Sequence, residues 1–234
     1  MADDIRQMLA LALDVDDLDA ARRTASTLAP WIGVAKIGLE LYGAAGPAAV
    51  TALRADGFRV FLDAKLHDIP TTVGRAARVL GRLGISYLNL HASGGFAMLA
   101  AGVEGMATGA AEAGVEPPVP FAVTVLTSDS DASAFESRLQ LAIESGCRGV
   151  VCSVQELARV HEGAPDFLTL VPGVRLAGSN LDDQARVGTP AAVAAAGGDL
   201  LVVGRTVTAA ASPEDAARRF HDEVAEGLAS RPRV

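Results

Sequence analysis

Eight short apolar runs recur along this chain, each followed by an amphipathic or turn-rich stretch, and that alternation admits few folds. The runs are Met8 to Asp14, Ile32 to Ile37, Arg59 to Lys65, Tyr87 to Ala92, Pro120 to Thr124, Gly149 to Cys152, Thr169 to Pro172 and Leu200 to Gly204. Helical patterns lie between them, among them Asp17 to Leu28, Val73 to Leu83, Ser133 to Ser145 and Pro213 to Leu228. Thr189-Pro190 and Ser212-Pro213 each place a capping hydroxyl before a proline at a first helical position. Strands that read as apolar runs are buried on both faces, as parallel strands are. Eight such units predict an α/β fold closed into a (β/α)₈ TIM barrel rather than a doubly wound sheet. The length of 234 residues suits that fold, for which ~250 is typical. No Pro/Ser-rich linker or low-complexity block divides the chain, so residues 1–234 are expected to form one barrel domain.

Composition narrows the partners. Half of the residues are hydrophobic, ample for a large core, and 28 Asp+Glu against 20 Lys+Arg give a net charge of −8. Without a basic run or an interleaved aromatic patch, this argues against nucleic acid and for a ligand met by a local positive site. The first residues carry acids where a signal peptide would be basic, and no run of about 18 apolar residues suggests a membrane span, so a cytoplasmic protein is expected. Cys147 and Cys152 lack a C-x-x-C or His-rich spacing and read as reduced structural thiols.

In a barrel of this kind the active site lies at the C-terminal ends of the strands. Asp14, Lys36, Asp63, Lys65 and His91 all fall at or near such ends. The block from Asp63 to Thr72, Asp-Ala-Lys-Leu-His-Asp-Ile-Pro-Thr-Thr, is the densest: Asp63 and Lys65 are spaced to share a strand face, Asp68 follows in the turn, and Pro70 suits the start of a helix. A structural ion pair at a strand end is the simpler account of a lone D-x-K, and a capping or core role is the simpler account of His91. Charges at successive strand ends favour a working site. Strand eight ends in Gly204-Arg205, where glycine opens backbone N–H groups to an oxyanion and arginine can grip it with a planar fork, although a surface ion pair would also explain Arg205. The polar stretch Gly173 to Arg186 lacks helical periodicity and reads as a functional loop carrying Arg175 and Gln184.

Seven pieces, in order, resemble the orotidine 5′-monophosphate decarboxylase family: Ala12-Leu-Asp-Val15, Ala35-Lys-Ile-Gly38, Asp63 to Thr72, Val125-Leu-Thr-Ser128, Val171-Pro-Gly-Val-Arg175, Asp183-Gln184 and Val203-Gly-Arg205. The resemblance implies conversion of orotidine 5′-monophosphate (OMP) to uridine 5′-monophosphate (UMP), without cofactor or metal, by a homodimer with shared active sites. It implies a ribose contact at Asp14, a pyrimidine contact at Thr127, a substrate contact at Pro172 and phosphate contacts at Arg175, Gln184, Gly204 and Arg205. Lys36, Asp63 and Lys65 would form a charged array, completed by Asp68, Ile69 and Thr72 of the other subunit.

Direct loss of CO₂ from a pyrimidine leaves a carbanion that only fixed charge can stabilise when no electron sink is present, and Lys65 is the residue placed to do so. Related decarboxylases and synthases of sugar phosphates share the D-x-K-x-x-D core but hold Mg²⁺ through a glutamate on strand two, where this chain has Lys36. A Schiff-base aldolase through Lys65 is disfavoured by carboxylates that stabilise an ammonium. A non-catalytic phosphate-sensing barrel would need Gly204, Arg205 and the loop, but leaves the acid-base-acid cluster unexplained.

Overall fold

A computed structural model describes residues 2–126, 132–176 and 188–231. The strands are β1 Leu9–Ala12, β2 Val34–Ile37, β3 Arg59–Leu66, β4 Tyr87–His91, β5 Val119–Val123, β6 Gly149–Val151, β7 Leu168–Val171 and β8 Leu200–Val203. Each pairs in parallel with the next, and β8 returns to β1, closing the predicted barrel. All eight lie within the apolar runs anticipated for them, apart from residues at their margins: Leu66 extends β3, Val119 begins β5 and Leu168 begins β7. The run beginning at Met8 is shorter as a strand at both ends: Met8 closes the helix Ala2–Met8, and Leu13 and Asp14 lie beyond Ala12.

Period-two alternation separates two cores. Outward residues such as Leu9, Leu11, Ile37, Leu62, Leu88, Leu90 and Val203 pack against the surrounding helices. Inward residues Ala10, Val34, Phe61, Tyr87, Phe121, Val123, Leu170 and Leu200 fill the barrel. Phe61, Tyr87 and Phe121 meet edge-on or tilted, with ring centroids 5.8 to 6.5 Å apart, and form a floor across it. The next inward position above that floor is Lys36 on β2, Asp63 on β3 and Asn89 on β4, so the same alternation that builds the core lifts polar groups to the C-terminal mouth.

Helix starts follow local chemistry. Asp17 caps Leu18–Leu28 by accepting from the N–H groups of Asp19 and Ala20, and Thr189 Oγ1 accepts from Ala192 N at 3.2 Å. Ser212 departs from its expected cap: its hydroxyl donates to the Asp215 carboxylate at 2.9 Å, with no cap bond to backbone. The acid three residues on competes for the hydroxyl. Pro70 begins Pro70–Gly81, three residues earlier than the apolar periodicity alone predicts.

That helix lies almost backbone to backbone against Gly95–Ala113. A Cβ built on Gly81 would stand 2.3 Å from Met106 O, and one on Gly109 would collide with Arg78 O at 1.9 Å. Arg78 and Arg82 clasp Glu112 across the same contact, and their hydrogen bonds hold its carboxyl down at about 2. The two helices follow β3 and β4 in the chain, and the second packs against β4. Gly109→Ala should therefore lower stability despite alanine's ~1 kcal/mol helical advantage, because overpacking costs about 1–3 kcal/mol or more when the obstacle is backbone. In Gly43→Ala the new methyl meets nothing within 4 Å and should leave the melting temperature equal or higher. Thermal melts of the two variants check this, and an unchanged or raised midpoint for Gly109→Ala contradicts it.

Candidate active site

The strand ends converge on a cavity of 910 Å³ lined by Asp14, Lys36, Asp63, Lys65 and Asn89 on one side and Pro172, Arg175, Gly204 and Arg205 on another. Lys36, 7% exposed, is the hub: its Nζ stands 3.2 Å from Asp14 Oδ1 and 3.2 Å from Asp63 Oδ2. The other oxygen of Asp63 accepts from Lys65 Nζ at 2.5 Å and from Asn89 Nδ2 at 2.7 Å. A Cβ on Gly38 would come within 2.9 Å of Asp14 Oδ1, so the glycine after β2 leaves room for that carboxylate.

Asp63 and Lys65 do converge, but not through regular alternation. Between its pairings with β4, β3 runs from Leu62 to Leu66 while β4 runs only from Leu88 to Leu90, a bulge that holds Asp63, Ala64 and Lys65. Within it Lys65 has φ +46°, the one left-handed non-glycine among the described residues. That conformation costs roughly 1–2 kcal/mol for a residue with a Cβ and persists only where its surroundings hold it. The bulge takes the Lys65 N–H out of the ladder, and Asn89 Oδ1 accepts it at 2.7 Å.

Burial pushes the Asp63 carboxyl upward, yet Lys36, Lys65 and the hydrogen bonds from Lys65 and Asn89 outweigh it, and the net direction is down. A carboxyl lowered on folding contributes stability that is present above its unfolded value, about 3.9, and is lost as pH falls through the lower folded value. Acid titration of unfolding free energy should show this loss below about pH 4, reduced in Asp63→Asn; equal acid slopes for the two proteins would contradict it.

The remaining predicted residues divide. Asp68, Ile69 and Thr72 are exposed and do not line the cavity; Asp68 Oδ1 accepts from Ile69 N at 2.6 Å, and no Asp68–Lys65 ion pair forms within the chain among the described residues. His91 is a cap: its Nδ1 stands 2.6 Å from Ser93 Oγ, and its ring stacks on His67 with centroids 5.2 Å apart. Burial, aided by His67, Arg138 and Lys65, pushes the His91 imidazole down from its ordinary value. Arg175 N donates to Gly188 O at 3.0 Å, joining the two ends of the polar loop, and the space beside Gly204 is open. Thr127 and Gln184 lie outside the described residues. Cys147 and Cys152 are buried and not joined by a disulfide, and burial raises the Cys147 thiol to about 11.

Residues 7–220 match the model of the orotidine 5′-phosphate decarboxylase / HUMPS family. The chain belongs to that family. Among relatives, the orotidine 5′-phosphate decarboxylase of Moorella thermoacetica is 44% identical over 94% of this chain and 92% of its own length. That of Lactiplantibacillus plantarum is 47% identical over 80% of this chain and 85% of its own. The crystal structure of orotidine 5′-phosphate decarboxylase from Lactobacillus acidophilus superposes with a TM-score of 0.80 at 33% identity, covering 93% of this chain and 99% of that one. Family membership agrees with the resemblance carried by the seven sequence pieces. Asn89 is a site residue that sequence reasoning missed: its signal was its parity, two residues from both Tyr87 and His91, and its polarity between Leu88 and Leu90.

Proposed function

We propose that this protein decarboxylates OMP to UMP in pyrimidine biosynthesis, with residues 1–234 acting as one catalytic barrel and with Lys65 in place of any metal or organic cofactor. The observation that carries the reading is the alternation Asp14, Lys36, Asp63, Lys65 across the cavity, whose wall Gly204 and Arg205 also line. Arg175, Gln184, Gly204 and Arg205 would take the phosphate, Asp14 the ribose and Thr127 the base, with Pro172 a further substrate contact.

With the nucleotide so held, the substrate carboxylate meets Asp63, which disfavours its charge in the ground state. The C–C bond breaks, CO₂ leaves, and the electron pair stays on the ring carbon beside the Lys65 ammonium. Lys65 then gives that carbon a proton. Phosphate binding energy, remote from the reacting bond, serves to align the charges. Lys36 Nζ occupies the space between Asp14 and Asp63, where a divalent ion would need carboxylate ligands to itself, and this favours the metal-free reaction over the Mg²⁺-dependent chemistry of sugar phosphates. Asp68, Ile69 and Thr72, exposed on their own subunit, would complete the site of a second copy in a homodimer.

The test follows orotidylate absorbance in EDTA, with orotidine in parallel. Turnover of orotidylate that survives chelation, and much weaker binding of orotidine, are expected. Inertness of the folded protein toward orotidylate sinks the assignment, and activity that vanishes in EDTA sinks its metal-free part.

A further inference from the structure

We propose that Asn89, which stands outside the charged array, is the positioning residue that fixes where the Lys65 ammonium stands relative to Asp63. The inference rests on the reaction proposed above. Asn89 is 1% exposed and occupies the inward position of β4 level with Asp63. Its amide makes two bonds of 2.7 Å, and they act on the two ends of one lysine. Through Oδ1 it accepts the backbone N–H of Lys65, and through Nδ2 it donates to Asp63 Oδ1, the same oxygen that receives Lys65 Nζ. The opposite amide orientation would set oxygen against carboxylate and N–H against N–H, so the surroundings determine it.

Lysine is a point charge on a flexible stem, and this one is not held by depth: its side chain is 37% exposed, against 9% for Lys36. What confines Nζ is the place of the Cα and the place of its counter-ion. The Cα sits in a bulge at φ +46°, a conformation that relaxes unless its freed N–H is captured. The counter-ion can rotate about its own Cβ unless both oxygens are engaged; Lys36 takes one, and Asn89 shares the other. A planar group with an acceptor and a donor side by side meets both needs. An Asp in its place keeps only the acceptor, and an Ala keeps neither.

The experiment compares wild type, Asn89→Ala and Asn89→Asp in orotidylate turnover across pH, with UMP affinity measured alongside. Misplacing a reacting group by about 1 Å costs roughly 100-fold, so kcat of Asn89→Ala should fall about 100-fold with KM and UMP affinity within about threefold. The acidic limb of kcat/KM should also move to higher pH in both variants. The charged groups that face Asp63 are Lys36 from β2 and Lys65 from β3, with Asp14 behind Lys36, and removing the Asn89 donor makes its ionised form harder to keep. A merely structural role would leave that limb in place. A kcat within threefold of wild type, or loss of UMP affinity in step with kcat, overturns the proposal. Asn89→Asp preserves volume and decides the matter if Asn89→Ala does not fold: full activity with an unmoved limb overturns it. A wild-type protein inert toward orotidylate instead condemns the assigned reaction.

Discussion

Lys65→Ala is expected to lower decarboxylation by ~10⁴-fold or more while UMP still binds, since stabilisation of the carbanion and donation of its proton are lost together. The fold should survive. Asp63 keeps Lys36 at 3.2 Å and Asn89 at 2.7 Å after the change, so its buried charge is not left bare. Affinity should survive for a different reason: Arg175, Gly204 and Arg205, the described residues assigned to the phosphate, follow β7 and β8, which do not neighbour β3 in the barrel. Single-turnover assays with orotidylate, together with calorimetric titration of UMP, separate the two effects. Turnover within tenfold of wild type rejects Lys65 as the catalytic cation, and loss of UMP binding rejects the division of the cavity into a reacting side and an anchoring side.

Mixing an inactive protein with a strongly impaired one should restore activity. In a homodimer with shared sites, Lys65→Ala and Asp68→Asn chains that exchange subunits form heterodimers in which one site carries both lesions and the other neither. Random exchange makes about half of the dimers mixed, so roughly a quarter of all sites regain wild-type composition. The structure makes this expectation physical: Asp68 and Ile69 stand exposed on the turn between β3 and the Pro70 helix, Ile69 at 66%, and Asp68 does not reach Lys65 of its own chain. Exchange is verified by native mass spectrometry. If heterodimers form and activity stays at the sum of the parents, Asp68 does not act across the interface.

The barrel was legible because burial on both faces writes itself into sequence as apolar runs, and the charges at the mouth were legible because they interrupt those runs. Asn89 was harder to see since it is uncharged and sits beside His91, a more conspicuous residue that turns out to cap Ser93. The bulge was not legible at all. Nothing in Asp63-Ala-Lys65 marks a left-handed lysine, a conformation imposed by what β4 offers across the ladder. Ser212 shows the same limit at a helix start, where a tertiary-independent rule lost to an acid one turn on. The close pairing of Pro70–Gly81 with Gly95–Ala113 depends on glycines that have no apolar periodicity to announce them.

The three-ring floor has a bearing on how the proposed reaction ends. Phe61, Tyr87 and Phe121 block the barrel axis beneath the charged layer, so CO₂ released there cannot drain through the core and must leave by the mouth that admitted the nucleotide. For as long as it lingers, recombination with the carbanion competes with escape. In that reaction a proton from Lys65, delivered to the ring carbon, would do more than quench a charge: it would decide the partition between return and product.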